Sequence, residues 1–176
     1  MILDSPRVSG AGVPFGAHVP AVIIGGGACG LTAALTLADA GIECVVIERD
    51  AAPQGSTALS SGFIPACNTR WQRALQGANG GIPDSVDLFA GDIEHKNHHG
   101  SDPVVTRAVC AASGPALEWL ADAHGIEFHV LEGFLYPGHS VARMHAVTEK
   151  TGAGLMGRLA QAAARARVSR CSPKPA

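Results

Sequence analysis

The run Gly25-Gly26-Gly27-Ala28-Cys29-Gly30 matches the pattern G-x-G-x-x-G, and glycines so placed leave backbone N–H groups open to an anionic ligand. Alone the pattern says little. Its flanks give it meaning: a β-branched run, Ala21 to Ile24, precedes it, and Leu31, Ala34, Leu35 and Ala38 follow at helical spacing. Gly41 stops that helix, and the next apolar run, ECVVIE, ends on Glu48. In this context Gly25 permits the tight turn, Gly27 lets a pyrophosphate approach the backbone, and Gly30 lets helix and strand pack closely. First-turn amides and the helix dipole then stabilise the phosphates. Glu48 accepts hydrogen bonds from ribose hydroxyls and repels a 2′-phosphate, which disfavours NADP. The competing reading, a glycine turn with no ligand, leaves the acid at the end of the second strand unexplained. Cys29 reads as a small residue filling a tight space rather than a redox thiol.

These residues need a right-handed β-α-β unit to position them, with strands at Ala21–Ile24 and Glu43–Glu48 and a helix over Leu31–Ala40. The expected fold class is therefore α/β: a Rossmann-type βαβ unit followed by an irregular, mostly helical region. The segment Gly55 to Ile64 offers hydroxyls, amides and glycines just after the ribose-binding acid, where a plain NAD domain proceeds directly to another crossover helix. Within it, Ala58 to Ser61 reads as a helical turn. Helices are expected over Asn68–Gln76 and Ser85–Gly91, with Gly77–Pro83 a loop. Asp102 and Pro103 start a helix that runs to about His124, with Gly125 as its stop and a soft point at Gly114-Pro115. Glu127 to Tyr136 reads as two short strands around Gly133, and a long Ala-rich helix runs from Thr151 or Gly152 to Arg167. Residues 1–18 are expected to be a loose arm and 19–168 the folded domain. The last residues, 169–176, are expected to be a disordered tail, because prolines and few apolar residues make a poor central strand. That would leave the sheet with two parallel strands.

Composition narrows the class. The 176 residues are 47% hydrophobic and 16% charged with 22 glycines, the profile of a globular α/β chain with closely packed helices. A formal charge of -2 gives no electrostatic reason to expect nucleic acid. The five cysteines form no C-x-x-C pair, which favours a reducing cytoplasm over zinc or a disulfide framework. No secretory signal is visible. The glycines and Pro20 argue against a membrane span over Val19–Leu37. Glu94-His95-Lys96-Asn97-His98-His99 invites a metal, but adjacent histidines without a partner cluster read better as a solvated loop. Gly138 to His145 concentrates donors that would orient an anionic substrate or brace the domain against a cap. A surface loop in which Arg143 makes structural hydrogen bonds is the preferred reading. No Ser-His-Asp or Cys-His arrangement is present, so no catalytic or metal-binding residue is assigned.

Beyond the glycine loop, the VVIER strand end and Gly55-Ser56-Thr57-Ala58-Leu59-Ser60-Ser61-Gly62 stand in the order of a known family. Together with SDPVVTRAVCAASGPALEWL and FLYPGHSVARMHAVTEKTGAGL, they make the chain resemble the fumarate reductase/succinate dehydrogenase flavoprotein family, including its ketosteroid-dehydrogenase-like branch. The resemblance implies FAD, with Gly25, Gly27, Ala28, Cys29 and Gly30 at the pyrophosphate and Glu48, followed by Arg49, at the ribose. It places Ser56, Thr57, Ser60, Ser61 and Gly62, with Ile64 beyond them, along the ribityl chain and flavin ring. Ser56 stands where membrane-bound members carry a flavin-linking histidine, which implies non-covalent FAD. Phe63 replaces a glycine common in the family, which alters the fit around the flavin. The implied reaction is redox at a carbon–carbon bond next to a carbonyl or carboxylate of an unknown small-molecule substrate. The family's catalytic groups lie beyond the residues present here. The chain is thus expected to be a fragment of a longer flavoenzyme, or to be completed by another chain. A catalytically inactive nucleotide-binding piece is the alternative.

Overall fold

The computed structural model describes residues 19–51, 55–79, 82–133 and 135–171. The arm expected over residues 1–18 and the end of the tail, 172–176, lie outside them. In chain order the first elements are β1 (Ala21–Ile24), α1 (Ala28–Asp39), β2 (Cys44–Ile47), α2 (Ser56–Leu59), β3 (Ile64–Pro65) and α3 (Arg70–Asn79). They are followed by α4 (Val86–Lys96), α5 (Pro103–His124), β4 (His129–Val130), β5 (Met144–Ala146), α6 (Gly152–Arg165) and β6 (Ser169–Cys171).

β1 and β2 pair in parallel, with Ala21 level with Cys44 and Ile24 level with Ile47, and α1 is the crossover between them. The helix is apolar over a wide arc because it is covered twice. Ala34 and Leu37 pack on Ala21, Ile23, Cys44 and Val46 of the sheet. Leu31 and Leu35 join Leu117 and Leu120 of α5 and Leu155, Met156 and Leu159 of α6 in the main core. Helix ends follow their sequence signals. Asp102 accepts from the Val104 and Val105 amides at 2.8 and 3.2 Å, and Gly125 ends α5 at a φ of 67°, a left-handed stop. Thr151 caps α6 by accepting from Gly154 N at 3.0 Å. α5 continues through Pro115, so the expected soft point does not break it.

Four expectations are corrected. The tail does not begin at residue 169: Ser169–Cys171 forms β6, parallel to β2, so the sheet runs β1-β2-β6. Parallel pairing needs only backbone, and Pro173 and Pro175 come after the paired residues. Arg167, at a φ of 57°, ends the helix, and Val168 anchors the entry by packing on both apolar clusters. Second, α4 extends through Lys96, so Glu94 and His95 are helical; His98 and His99 leave the helix with φ values of 55° and 57°. Among the described residues no group of three His, Cys, Asp or Glu is placed to hold a metal ion. Third, only His129–Val130 of the expected strand pair is a strand. Its partner is Met144–Ala146, which also pairs with β3 in a separate antiparallel sheet ordered β3-β5-β4. The pairing capacity lay in what reads as a donor-rich loop.

Fourth, Arg143 is not on a surface loop. Its side chain is fully buried, with Nε and Nη2 donating to the Asp84 carboxylate at 3.1 and 2.8 Å and Nη1 to Asp92. The structural reading of Arg143 therefore holds, in the interior. Burial opposes the guanidinium charge, and the carboxylates of Asp84 and Asp92 outweigh it, raising its pKa. Gln72 donates to Asp84 at 2.8 Å and to Ala142 O at 3.0 Å, tying α3 to the same cluster. His145 completes it. Its Nδ1 donates to the Arg143 carbonyl at 2.9 Å, since a carbonyl only accepts, so Nε2 accepts from the Thr69 hydroxyl at 2.7 Å. Burial pushes the His145 pKa below its ordinary value, and burial followed by the Arg143 charge does the same to His139.

Two outcomes follow. Asp84→Ala leaves Arg143 charged and half-paired in the interior and is expected to cost about 3–5 kcal/mol in denaturant unfolding. A loss below about 1 kcal/mol would show that the pair is not what holds Arg143. Both histidines are harder to protonate when folded, so the unfolded chain binds more protons below its ordinary histidine pKa of about 6.5. Stability is then full above that pH and falls as pH drops through it. Urea midpoints measured between neutral and mildly acid pH should show this decline, with a shallower slope for His145→Gln; equal slopes would exclude His145 as a source.

Candidate functional site

The C-terminal ends of β1 and β2 bring the glycine loop and Glu48 together. Gly25 N donates to Ile47 O at 2.8 Å, which closes the loop over the end of β2. Gly26 N donates to Glu48 Oε2 at 2.6 Å, and Asp50 N donates to Oε1 at 3.0 Å. These amide bonds, Asp50's first and Gly26's next, hold the Glu48 carboxyl below its ordinary pKa range. The acid is thus fixed and ionised beside the loop, with acceptor capacity left for hydroxyl donors.

The glycines have separate reasons. Gly25 has a φ of +100°, which other residues rarely adopt. A Cβ on Gly30 would lie 2.0 Å from Gly25 O, so the first turn of α1 closes on the loop only without one. Gly27 is different. It is the N-cap of α1 with an extended backbone, and an added Cβ would meet nothing nearer than Thr57 Oγ1 at 3.9 Å. The fold itself does not demand glycine there. The cap residue takes none of the first-turn amides, and of these Ala28 N donates to the Thr57 hydroxyl at 3.4 Å. That is a cradle into which an anionic group fits.

The serine-rich segment forms the neighbouring wall. Thr57 Oγ1 accepts from Ala28 N at 3.4 Å, which places a hydroxyl against the first turn of α1. Ser60 Oγ donates to Thr57 O at 2.7 Å and accepts from Gly62 N at 3.0 Å, bracing the turn that α2 makes. Ser56 and Ser61 are exposed beside them. Gly62, buried at a φ of +69°, lies where a Cβ would be 2.5 Å from Thr151 O. Ile64 sits apart in the antiparallel sheet, opposite His145. Arg49 is 88% exposed and pairs with Asp50 at 3.2 Å, so its guanidinium is not brought to the loop. Cys29 is exposed rather than filling a tight space, because the second helical position points away from the sheet. Ala28, by contrast, packs on the main core.

Sequence reading missed Gly152. Its amide donates to Ser60 O at 2.9 Å, and a Cβ there would lie 1.9 Å from Thr57 O. α6 therefore docks its first turn onto α2, and Thr57 is held from both sides. The visible signal was the run Thr151-Gly152-Ala153-Gly154, a cap followed by small residues. A cavity of about 630 Å³ among Asp39, His124 and Arg165 lies at the other end of α1 and takes no part in the cradle.

An ionised acid at the end of the second parallel strand, bonded to the glycine loop that opens α1, is an arrangement suited to a dinucleotide. Residues 21–172 match the family of FAD binding domains, and the chain belongs to that family; its cofactor is FAD. It is 33% identical over 141 residues to the urocanate reductase of Eggerthella lenta, spanning 80% of this chain and 22% of that relative. The cytochrome-type fumarate reductase of Shewanella frigidimarina is 27% identical over 136 residues, 77% of this chain and 22% of the relative. Among solved structures, the 3-ketosteroid-delta4-(5alpha)-dehydrogenase of Rhodococcus jostii has a TM-score of 0.74 at 24% identity, covering 95% of this chain and 40% of that one. An open flavocytochrome c3 fumarate reductase has the same TM-score of 0.74 at 22% identity, covering 88% and 26%. The resemblance drawn from the sequence is borne out, and the chain spans 22% of the length of these two curated relatives.

Two substitutions separate binding from folding. A Cβ added at Gly27 meets nothing nearer than 3.9 Å, so with phosphates bound at this loop Gly27→Ala should weaken FAD uptake while the thermal midpoint stays near that of the parent. Undiminished uptake would put the phosphates elsewhere. Glu48→Gln keeps the shape and loses the charge; flavin-fluorescence titration should show Kd raised at least roughly tenfold, the scale of a lost charge-assisted hydrogen bond. An unchanged Kd would remove Glu48 from the ribose.

Proposed function

We propose that this chain is the FAD-holding portion of a flavin-dependent oxidoreductase, with a Rossmann-type site and non-covalent cofactor, acting at a carbon–carbon bond beside a carbonyl or carboxylate. The observation that carries this reading is the Glu48 carboxylate held 2.6 Å from the Gly26 amide, beside the N-terminus of α1. That arrangement suits a diphosphate and the sugar next to it. The reaction class draws on the relatives: urocanate and fumarate each carry a double bond conjugated to a carboxylate.

In this reading the amides of Ala28, Cys29 and Gly30 bind the diphosphate, Glu48 orients the adenosine ribose, and the hydroxyls of Ser56, Thr57, Ser60 and Ser61 line the path towards the flavin. Bound flavin supplies hydride acceptance and donation at its N5. The residues named here bind and orient; none moves a proton to substrate. Ser56 has no imidazole with which to tether the ring, which supports non-covalent retention. A second reading, a nucleotide-binding piece without turnover of its own, is favoured by the small share of each relative that the chain spans.

Reconstitution tests both. The purified chain should take up FAD with flavin absorbance, and acid precipitation should release all of it to the supernatant. Tight NAD binding without FAD uptake would overturn the cofactor. With FAD loaded, no fumarate or urocanate reduction by a chemically reduced dye is expected from this chain alone. Turnover would show that it holds catalytic groups, against the second reading.

A further inference from the structure

Three helices end around one cavity, at the far end of α1 from the glycine loop. α1 ends at Asp39, α5 at His124 and α6 at Arg165, and these three residues line a space of about 630 Å³. Ala123, Ala162 and Ala166 supply small walls between them. Asp39 Oδ2 accepts from Trp119 Nε1 at 2.8 Å and from His124 Nε2 at 3.2 Å, which clamps α1 to α5. Arg165 Nη2 donates to the His124 carbonyl at 2.7 Å, which adds α6.

The clamp leaves bonds unmade. Among the described residues Asp39 Oδ1 has no partner, and neither have the other guanidinium nitrogens of Arg165. His124 is only 8% exposed, yet its Nδ1 also has no partner among them. A carboxylate only accepts, so Nε2 is the donor, and in the neutral ring Nδ1 is left as an acceptor. Asp39 and Arg165 face one cavity with opposite charges, but no ion pair joins them: Asp39 is held by His124, and Arg165 by the His124 carbonyl. Asp39 also stands at the negative end of the α1 dipole, with no basic residue in that last turn to offset it.

The cavity is therefore rich in acceptors beside Asp39 and His124 and rich in donors beside Arg165. A simple anion would meet the carboxylate and three helix C-termini, and a simple cation would meet the guanidinium. A molecule with both charges a few ångströms apart suits each wall. Its ammonium donates to Asp39 Oδ1 and His124 Nδ1, and its carboxylate accepts from the guanidinium fork. The volume falls within the range of about 300–1,000 Å³ usual for small-molecule sites, which leaves room for a side chain. The alanine walls suit an uncharged one.

We propose that this cavity binds a free amino acid with an uncharged side chain, its ammonium held by Asp39 and His124 and its carboxylate by Arg165. The site is separate from the cofactor cradle and does not rest on the reading of that cradle. Occupancy ties the ends of α1, α5 and α6 together, so the loaded chain unfolds at a higher temperature.

NMR titration of the full chain tests it, with the Trp119 indole N–H as reporter because it bonds to Asp39. The uncharged L-amino acids are titrated one by one, leucine first. At least one should shift the Trp119 signal saturably and raise the thermal midpoint. The amine that lacks its carboxylate, and the acid that lacks its ammonium, should each bind at least about tenfold more weakly, the scale of one charge-assisted hydrogen bond. Arg165→Gln and Asp39→Asn should weaken the same amino acid to a similar degree, with the circular dichroism spectrum unchanged. No saturable shift with any amino acid at millimolar concentration would overturn the proposal. Equal binding of the bare amine or the bare acid would do so as well, by reducing the cavity to a site for one charge. Affinity kept by both variants would place the amino acid elsewhere and end the assignment.

Discussion

The site depends on one hydrogen bond, from the Gly26 amide to Glu48 Oε2. It joins the loop that opens α1 to the end of β2, 22 residues away in sequence. An acid left free at a strand end would sample many rotamers, and a glycine loop without an anchor would sample many backbone states. Bonded to each other they form a fixed pair: first-turn amides on one side, an ionised carboxylate on the other. A dinucleotide needs that spacing of positive and negative character, because its diphosphate and its ribose hydroxyls call for opposite partners.

The remaining contacts keep that pair in place. α1 is locked between sheet and helices, with Ala34 against the strands and Leu31 and Leu35 against α5 and α6, so its N-terminus cannot tilt without opening both apolar contacts. The adjoining hydroxyl wall is set by glycine-only approaches. Gly152 admits the Thr57 carbonyl, Gly62 admits the Thr151 carbonyl, and Gly114 of α5 admits the Cys67 carbonyl. Farther off, the buried Arg143 holds Asp84 and Asp92 and so fixes α4 and the approach to β5. Such a cluster contributes specificity of arrangement more than net stability, since the desolvation of each charge offsets much of their attraction.

The parts of the fold legible beforehand share a physical property: they are decided by near neighbours. The β-α-β unit, the Asp102 and Thr151 caps and the Gly125 stop depend on periodicity and on side chains within a few residues of the backbone groups they satisfy. β6 was misread for the opposite reason. Ser169–Cys171 lacks the apolar pattern of a strand, and only the exposed backbone edge of β2 makes it one. Met144–Ala146 was misread likewise, because its pairing with β3 and β4 joins segments far apart in the chain.

By itself the sequence determined the glycine loop, the acid that follows the second strand and the cofactor family they belong to, because these rest on residue identity at short range. Tertiary structure alone decided that Arg143 is an interior anchor, that Cys29 faces outwards and that Gly152 supports Thr57. It also left Val22, Ile24 and Ile47 uncovered. Burial and close approach are properties of what packs against a residue from elsewhere, and local spacing does not carry that information.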